Sequence, residues 1–332
     1  MNIIQNIRIS GVGKFLPPAK ISSDDLEARF GISKGFSVKY SGVRERYHVT
    51  TESNAYLGAM ALKEALHRAG LQAADLDMLI CGAVTFDYLL PHQGASILKE
   101  LSAEDELCIP TLNVTTSCLS FVSAFEVAAA LLQAGPYQKI AIVSAEVSSK
   151  GLNPANHEAL TLFGDGAAAV IVETDPAGQS GIIKSLTRTY TEGFDFSIVR
   201  GGGNRYFFKD YPYDPILHSF EMKGKNLLKL ANRKIPGFFS AFFQDLDMDL
   251  TDVDLVIPHQ ASKMGLIMFR KLYSLRDDQV FSNLETHGNC ISASIPMGLY
   301  DAIISGQLQR GQLCLVTGTA AGFSIGGVLF KY

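Results

Sequence analysis

The chain has 332 residues, of which 47% are hydrophobic and 19% are charged, and its formal net charge is −4. This composition is typical of a globular protein with one large core or two fused cores, and it gives no electrostatic case for binding nucleic acid. No run of 18 uncharged apolar residues occurs, so no membrane span is expected.

The five cysteines show no paired spacing, and most of them lie within apolar runs: Cys81, Cys108, Cys118, Cys290 and Cys314. This usage indicates reduced thiols in a cytoplasmic protein. The N-terminal residues carry neither the basic segment nor the long apolar run of a signal peptide. No two Cys or His residues share a ligand spacing, so no metal site is expected.

The same pattern of elements occurs twice along the chain. Three strand-like runs are each echoed about 175 residues later: 6–11 by 181–186, 74–80 by 251–257, and 138–144 by 311–317. An offset of half the chain is too long for a solenoid and indicates a duplication. We expect two halves, 1–175 and 176–332, with Cys118 in the first half and His259 and Asn289 in the second.

Helical patterns alternate with these strands. The spacing predicts helices over 55–69, 120–133, 222–243 and 292–305. The second is apolar on almost every side, which is typical of a helix buried between two sheets. The alternation predicts an α/β fold with two mixed sheets and with helices between and outside them.

Three positions between a strand and a helix carry reactive side chains. Cys118 follows the strand-like run 112–114 and precedes the helix that begins near Leu119. The positive end of the helix dipole should lower the pKa of this thiol and favour a nucleophilic thiolate. His259 follows the strand 255–258, and Asn289 lies in a glycine-flanked turn before the last helix. Taken singly, each has an ordinary structural interpretation: a buried thiol, a strand-end histidine and a turn residue.

Together, these positions and their flanking sequences resemble the ketoacyl synthase III group of condensing enzymes in the thiolase superfamily. The resemblance extends over the whole chain and is carried by SGVRER at 41–46, TSCLSF at 116–121, LFGDGAA at 162–168, HQA at 259–261, GN with SASIP at 288–296, and GFSIGG at 322–327. It implies a thiolase-like, five-layered αβαβα sandwich built from two pseudo-repeats. It also implies a homodimer that uses acyl carrier protein and acyl thioesters and needs no cofactor.

The resemblance further implies a mechanism. Cys118 takes an acyl group from a donor thioester, while His259 and Asn289 hold the enolate that a malonyl-type extender forms on decarboxylation. The carbanion then attacks the acyl group on Cys118. The backbone N–H of Cys118 and one from the Ala321-Gly322 turn would form the oxyanion hole.

The sequence departs from the family where coenzyme A binds. Members that start from acetyl-CoA use a Trp and two Arg at positions that align with Phe36, Tyr40 and His157, and this chain has no Trp at all. Either the donor is carried by a protein, or coenzyme A binds through other residues. The residues expected to line the groove or the acyl tunnel are Phe36, Tyr40, Phe86, Tyr88, Leu89, Leu90, His157, Phe163 and Phe323.

An acidic carrier protein should dock on basic residues of the helices that flank His259. The candidates are Lys229, Arg233, Lys234, Lys263, Arg270 and Lys271. Related enzymes that join two acyl chains without decarboxylation use a glutamate in the loop after the Cys81 strand. Here the corresponding position is Leu90, which argues against that reaction.

Two other functions stay open at this stage. The chain could transfer the acyl group from Cys118 to an alcohol or amine, although Asn289 would then have no enolate to hold. It could also be a partner subunit of a heterodimeric synthase, although the complete trio argues against this. Among condensing enzymes, a fatty-acid initiator and a specialised ketosynthase are both possible, and the altered groove favours the second.

Overall fold

The computed structural model describes residues 3–102 and 107–332. The strands are β1 (Ile7–Phe15), β2 (Ala19–Ser22), β3 (Glu45–His48), β4 (Met78–Gly82), β5 (Thr111–Val114), β6 (Lys139–Glu146), β7 (Gly166–Thr174), β8 (Gly181–Thr189), β9 (Ser197–Ile198), β10 (Glu221–Met222), β11 (Leu255–Pro258), β12 (Leu313–Ala320) and β13 (Ser324–Lys331). The helices are α1 (Ser23–Phe30), α2 (Phe36–Tyr40), α3 (Asn54–Ala69), α4 (Gln93–Leu101), α5 (Ser120–Ala134), α6 (His157–Leu162), α7 (Gly224–Phe243), α8 (Lys263–Leu272), α9 (Leu284–His287) and α10 (Ser294–Ile304).

The helices begin and end close to where the sequence predicts. In α3, for example, the Ser53 side chain accepts a hydrogen bond from the Tyr56 N–H at the start, and Gly70 takes a left-handed conformation at the end. The predicted helix over 292–305 differs at its start, because residues Ile291–Ala293 form a 3-10 turn before α10. Pro296 therefore lies in the first turn of α10, where a missing N–H costs no hydrogen bond.

The first large sheet has the strand order β1-β7-β6-β4-β5. β4 pairs in parallel with β5 and with β6, whereas β7 runs antiparallel to both β1 and β6. Every residue of β4 is buried, as expected for a central strand that is covered on both faces.

The second large sheet repeats this arrangement in the order β8-β13-β12-β11. β11 and β12 are parallel, and β13 is antiparallel to β12 and β8, as in the equivalent pairs of the first sheet. A single parallel bridge between Val256 and Val280 takes the place that β5 has beside β4. The boundary expected near residue 175 lies in the connection between β7 and β8.

Helices cover both faces of each sheet. α3 packs on the outer face of the first sheet, with Leu57 and Leu62 buried against Ala141 and Val143. α5 and α10 lie between the two sheets, where Phe125 of α5 contacts Phe330 of the second sheet. α7 covers the outer face of the second sheet, with its phenylalanines buried beside Leu315 and Leu329. These layers confirm the predicted αβαβα sandwich and its two pseudo-repeats.

The segment Ser117–Ala134, which contains α5, is long and apolar enough to span a membrane by length and composition, and half of it is buried within the fold. Its only charged residue is Glu126. Its apolar character has a structural cause, because a helix between two sheets contacts apolar side chains on opposite sides.

Candidate active site

Cys118 lies in the tight connection between β5 and α5. Ser117, the residue before it, has a φ of 54°, a left-handed conformation that is uncommon for a residue other than glycine. The Ser120 hydroxyl accepts a hydrogen bond from the Thr116 N–H at 3.0 Å and donates one to the Ser117 carbonyl at 2.6 Å. Strained backbone of this kind persists where its surroundings hold it, and it is common at functional sites.

The structure contradicts the expectation that the Cys118 thiol has a lowered pKa. Burial, together with a smaller contribution from the nearby Glu146 carboxylate, raises the pKa to about 12. The N–H groups of Ala321 and Cys118 itself act in the opposite direction and are outweighed. The sequence argument was wrong because it counted the helix terminus but not the loss of solvent around the sulfur.

His259 follows β11 and is held by the adjacent strand β12. Its N–H donates to the Thr317 carbonyl at 2.8 Å, and only 5% of the residue is exposed. Gly318 is required by this close approach, because a Cβ there would lie 2.5 Å from the Cβ of His259. The pairing of β11 with β12 therefore fixes the backbone and the Cβ position of His259.

The imidazole of His259 is neutral at physiological pH. Burial lowers its pKa to about 4, although the Ile291 carbonyl partly opposes this shift. Among the described residues, its Nδ1 atom is buried without a hydrogen-bond partner. A neutral imidazole carries one ring N–H, which can donate to a substrate oxygen without a charge to desolvate.

Asn289 is held in a turn between α9 and the 3-10 turn that precedes α10. Its N–H donates to the Leu162 carbonyl at 2.9 Å, and its carbonyl accepts from the Gly164 N–H at 3.1 Å. Gly164 permits this contact, because a Cβ there would lie 2.2 Å from the His287 carbonyl oxygen. The Oδ1 of Asn289 accepts from the Ile291 N–H at 2.8 Å, which leaves the Nδ2 group as the available donor.

Linked contacts bring the three segments together. The Cys118 sulfur accepts a hydrogen bond from the backbone N–H of Ala321, in the turn that joins β12 to β13. α5 packs against the Ile291–Ala293 turn, and the Ile291 carbonyl lies against the His259 imidazole. Ile291 has a φ of 48°, which is strained for a β-branched residue. Two of the described chain's three non-glycine residues with positive φ, Ser117 and Ile291, thus border this centre.

The Ala321-Gly322 turn lies where the sequence places an oxyanion hole. Gly322 has a φ of 87°, which glycine adopts at no steric cost. The Ala321 N–H already points at the Cys118 sulfur. An N–H in this position can serve an acyl oxygen on that sulfur.

Glu146 is a residue of this centre that the sequence analysis missed. It ends β6 and is fully buried, yet its carboxylate lies close enough to raise the pKa of the Cys118 thiol. The carboxylate accepts hydrogen bonds from the N–H groups of Val84 and Thr85 and from the hydroxyls of Thr85 and Ser292. The sequence contained a signal for Glu146, because a glutamate at the end of a mostly apolar strand is rarely buried without a specific partner.

At the predicted groove, the three residues that depart from the family form one aromatic cluster. The ring of Phe36 lies 4.3 Å from that of Tyr40 and 6.0 Å from that of His157, measured between centroids. Lys39 places its Nζ 5.1 Å from the Tyr40 ring centroid, so the cation beside this cluster is an ammonium group and not a guanidinium.

The remaining tunnel candidates lie in three different environments. Phe163 is buried beside the Asn289 turn, where its ring packs edge-on against Phe220. Phe323 immediately precedes β13 and is buried in the hydrophobic cluster between the second sheet and α7, so its place in the tunnel stays a prediction. The loop after β4 is exposed on the surface of the protomer; its apolar residues are Phe86, Tyr88, Leu89 and Leu90.

The basic docking candidates divide by their ionic partners. Glu192 pairs with both Arg233 and Lys234, and Asp277 pairs with Arg270. Lys229, Lys263 and Lys271 are exposed and form no ion pair within the described part of the chain. The ammonium groups of these three lysines are therefore available to pair with carboxylates of a partner protein.

Two family models match the chain, and both describe one family. The model described as 3-oxoacyl-[acyl-carrier-protein (ACP)] synthase III matches residues 112–191, and the model of its C-terminal part matches residues 243–332. The first match contains Cys118 and the second contains His259 and Asn289. Together the matched segments make up just over half of the chain.

Relatives of the same description match along nearly the full length. The β-ketoacyl-[acyl-carrier-protein] synthase III of Vesicomyosocius okutanii is 28% identical over 98% of this chain and 98% of its own. The corresponding protein of Shewanella oneidensis is 29% identical over 98% of this chain and 99% of its own. The crystal structure of the Aquifex aeolicus synthase III superposes with a TM-score of 0.87 at 26% identity, covering 98% of this chain and all of the other.

Proposed function

The chain belongs to the 3-oxoacyl-[acyl-carrier-protein] synthase III family of condensing acyltransferases, and from this premise we propose roles for its site residues. Cys118 attacks a donor thioester and keeps its acyl group as a new thioester. A malonyl-type thioester then loses its carboxylate as carbon dioxide. The resulting carbanion forms a carbon–carbon bond with the acyl carbon, the bond to the Cys118 sulfur breaks, and a 3-oxoacyl thioester leaves.

The protonation and hydrogen bonding of His259 and Asn289 support these roles most directly. Decarboxylation places negative charge on the thioester oxygen of the extender, which needs hydrogen-bond donors. His259 is held neutral by burial, and Asn289 has its Oδ1 engaged so that its Nδ2 group is the donor. Both groups act without a charge of their own, and both are held in place before any substrate enters.

The high pKa of Cys118 fits a thiol that loses its proton only as it is acylated. Burial and the Glu146 carboxylate disfavour a resident thiolate. A thiol with little thiolate character is protected from oxidation, since oxidation follows thiolate character and exposure. The N–H groups of Ala321 and Cys118 favour negative charge where the acyl oxygen develops it.

We propose that the acyl donor is presented by a carrier protein. At the entrance, Phe36, Tyr40 and His157 offer aromatic surface but no planar guanidinium for an adenine or for phosphates. Acyl groups on the flexible arm of a carrier protein need no such contacts. This choice also favours a specialised ketosynthase over a general fatty-acid initiator.

The carrier protein itself would dock beside the entrance through Lys263. The N–H of this lysine lies 3.4 Å from the Ser41 carbonyl, and its side chain packs directly on Gly42. Lys263 therefore contacts the two residues that follow Tyr40, and its ammonium group forms no ion pair within the described part of the chain. Lys229 and Lys271 extend the positive surface along α7 and α8.

We further propose a homodimer that forms through the edge of the first sheet. β5 pairs with β4 on one side only, and Leu112 on it is exposed. An exposed edge strand is a template for pairing with another chain. The loop after β4 follows the strand that pairs with β5, and Leu90 in this loop is 86% exposed. This loop would reach the second protomer. The proposed reaction needs no cofactor besides the two thioester substrates. We place the protein in the cytoplasm because its cysteines carry free thiols.

Intact-mass analysis tests the proposal step by step. The protein is incubated with acyl-carrier protein or acyl-CoA, and an acyl adduct is expected on the wild type but not on Cys118→Ala. Exposed Cys108 supplies the control, because Cys108→Ala should load normally. Malonyl-carrier protein is then added, and a 3-oxoacyl product is expected.

The outcomes separate the alternatives. Loading followed by transfer to an alcohol or amine, without a 3-oxoacyl product, would replace condensation by simple acyl transfer. Absence of loading from every donor would indicate a non-catalytic partner subunit. Brisk loading from acetyl-CoA alone would overturn the proposal of a protein-borne donor.

A further inference from the structure

Glu146 joins segments from both halves of the fold close to the candidate active site. Two of its hydrogen-bond donors are the N–H groups of Val84 and Thr85, both at 2.9 Å, in the loop that follows β4. A third donor is the Thr85 hydroxyl at 2.6 Å. The fourth is the hydroxyl of Ser292, which belongs to the 3-10 turn after Asn289.

The direction of these hydrogen bonds is fixed by the surroundings. The Thr85 Oγ1 accepts from the Asn54 side chain and from the Val147 N–H, both at 3.0 Å, so its own hydrogen is directed to Glu146. The two N–H groups and the Thr85 hydroxyl thus converge on the Glu146 oxygens as donors of fixed direction, and the Ser292 hydroxyl completes the set. Burial raises the pKa of Glu146, and these donors act in the opposite direction by favouring the ionised carboxylate. Glutamine would place an amide NH2 against these donors.

The turn that Glu146 holds is strained. Ile291, next to Ser292, has a φ of 48°, and its N–H holds the Oδ1 of Asn289 at 2.8 Å. A β-branched residue keeps such a conformation only where its neighbours determine it. If Ser292 were released, Ile291 could relax and the carboxamide of Asn289 would lose its anchor.

We propose that Glu146 is a positioning residue for the condensing reaction, which it serves by clamping the Asn289 turn of the second half to the Val84-Thr85 loop of the first half. This inference rests on the proposed function, because it assigns Asn289 to the condensation step. The clamp acts on the enolate-binding group and not on acyl loading at Cys118, which uses backbone donors. Loss of the clamp should therefore slow the two steps unequally.

Ser292 and Ser144 provide a matched pair of variants. Both hydroxyl oxygens lie within hydrogen-bond distance of the same acceptor, the Gly82 carbonyl, at 3.0 Å and 2.6 Å, and both residues are fully buried. Only Ser292 also donates to Glu146. Ser292→Ala removes the clamp from the Asn289 turn, whereas Ser144→Ala removes a comparable buried hydroxyl without touching Glu146.

The experiment measures two rates for each variant: acyl loading by intact mass and 3-oxoacyl formation from preloaded enzyme. For Ser292→Ala, condensation should fall by about 10- to 100-fold while loading changes by less than about threefold. Glu146→Gln should lose condensation to a similar degree, whereas its loading rate also reflects the lower pKa expected for the Cys118 thiol. Ser144→Ala should change the two rates in equal proportion. Equal losses of both rates in Ser292→Ala, or condensation at the wild-type rate, would overturn the proposal.

A second readout does not depend on condensation. The titratable groups that face Glu146 are the thiols of Cys81, Cys118 and Cys290, and the carboxylate raises the pKa of each. In Glu146→Gln, the pH profile of Cys118 alkylation by iodoacetamide should therefore move to lower pH. An unchanged profile would overturn the placement of a charged carboxylate beneath the sulfur.

The two hypotheses fail in different ways. If the wild-type protein loads but never condenses, the proposed function is wrong. If the wild type condenses and Ser292→Ala condenses equally well, only the clamp is wrong. Should Glu146→Gln fail to fold, the comparison of Ser292→Ala with Ser144→Ala still decides.

Discussion

The buried centre of this protein and its entrance differ in how closely they follow the family. At the centre, His259 and Asn289 are each 5% exposed, and backbone hydrogen bonds from neighbouring strands and turns fix both residues. At the proposed entrance, Tyr40 is about half exposed, and its ring lies 4.3 Å from that of Phe36, where the family resemblance leads one to expect guanidinium groups nearby.

The difference shows that chemistry and recognition are separable in this fold. The centre depends on close approaches, such as those at Gly164 and Gly318, that tolerate no added atom. The entrance is built from a short helix and exposed side chains that can change without disturbing the sheets. We therefore expect large effects from changes at the centre and small ones at the entrance.

The largest effect is expected for Asn289→Ala. Loss of one donor to the enolate oxygen should slow condensation by roughly 10²- to 10³-fold, or about 2.7–4 kcal/mol, whereas Cys118 should still load. Stopped-flow or quenched product analysis with preloaded enzyme measures the step. Asn283→Ala is the control, because Asn283 is also buried but bonds to Asp301. A fully active Asn289→Ala protein would remove the distinction between centre and entrance.

The second effect concerns the space around the imidazole. In Gly318→Ala, the new methyl group would meet the Cβ of His259 at 2.5 Å, so one of the two strands must shift. Displacement by about 1 Å should slow condensation by up to about 100-fold. Gly237→Ala serves as the control, because a Cβ at that position in α7 meets nothing within 4 Å. Wild-type turnover in Gly318→Ala would mean that the centre is less rigid than its packing indicates.

The third effect is on stability as a function of pH. Burial lowers the pKa of His259 to about 4, and burial together with the Lys14 charge lowers that of His287. Between pH 4 and 6.5 the unfolded chain therefore binds more protons, and the free energy of unfolding should rise with pH. Each histidine contributes a slope that approaches about 1.4 kcal/mol per pH unit.

Urea unfolding across this pH range measures the slope. His259→Asn should reduce it, whereas substitution of exposed His67 on α3 should not. Equal slopes for the wild type and His259→Asn would show that this imidazole is not buried in neutral form.

The smallest effect is expected at the entrance. Lys263→Ala should raise the KM for carrier protein by about two- to fivefold without changing kcat, because one exposed charge contributes less than about 1 kcal/mol. The difference should shrink at high salt. Arg233→Ala is the matched control, because Arg233 is already paired with Glu192. A change in kcat, or an equal effect of Arg233→Ala, would argue against docking at Lys263.

The sequence alone predicted a duplicated α/β fold with helices between and outside two sheets, and the family resemblance implied that the Cys118, His259 and Asn289 segments converge. Its periodicity revealed α5 as a buried helix, and its repeated strand-like runs marked the equivalent strands of the two sheets. These features depend on local patterns of apolar residues, which are visible without coordinates.

The sequence could not give the electrostatics of the centre or the direction of each side chain. It predicted a lowered pKa for Cys118, whereas burial raises that pKa, and it could not show that the Phe323 ring packs in the cluster between the second sheet and α7. Only the tertiary structure brought Glu146 beneath the sulfur and against Ser292, which is 146 residues away along the chain. Desolvation and charge proximity depend on what surrounds a group in space, and residues distant in sequence supply most of those surroundings.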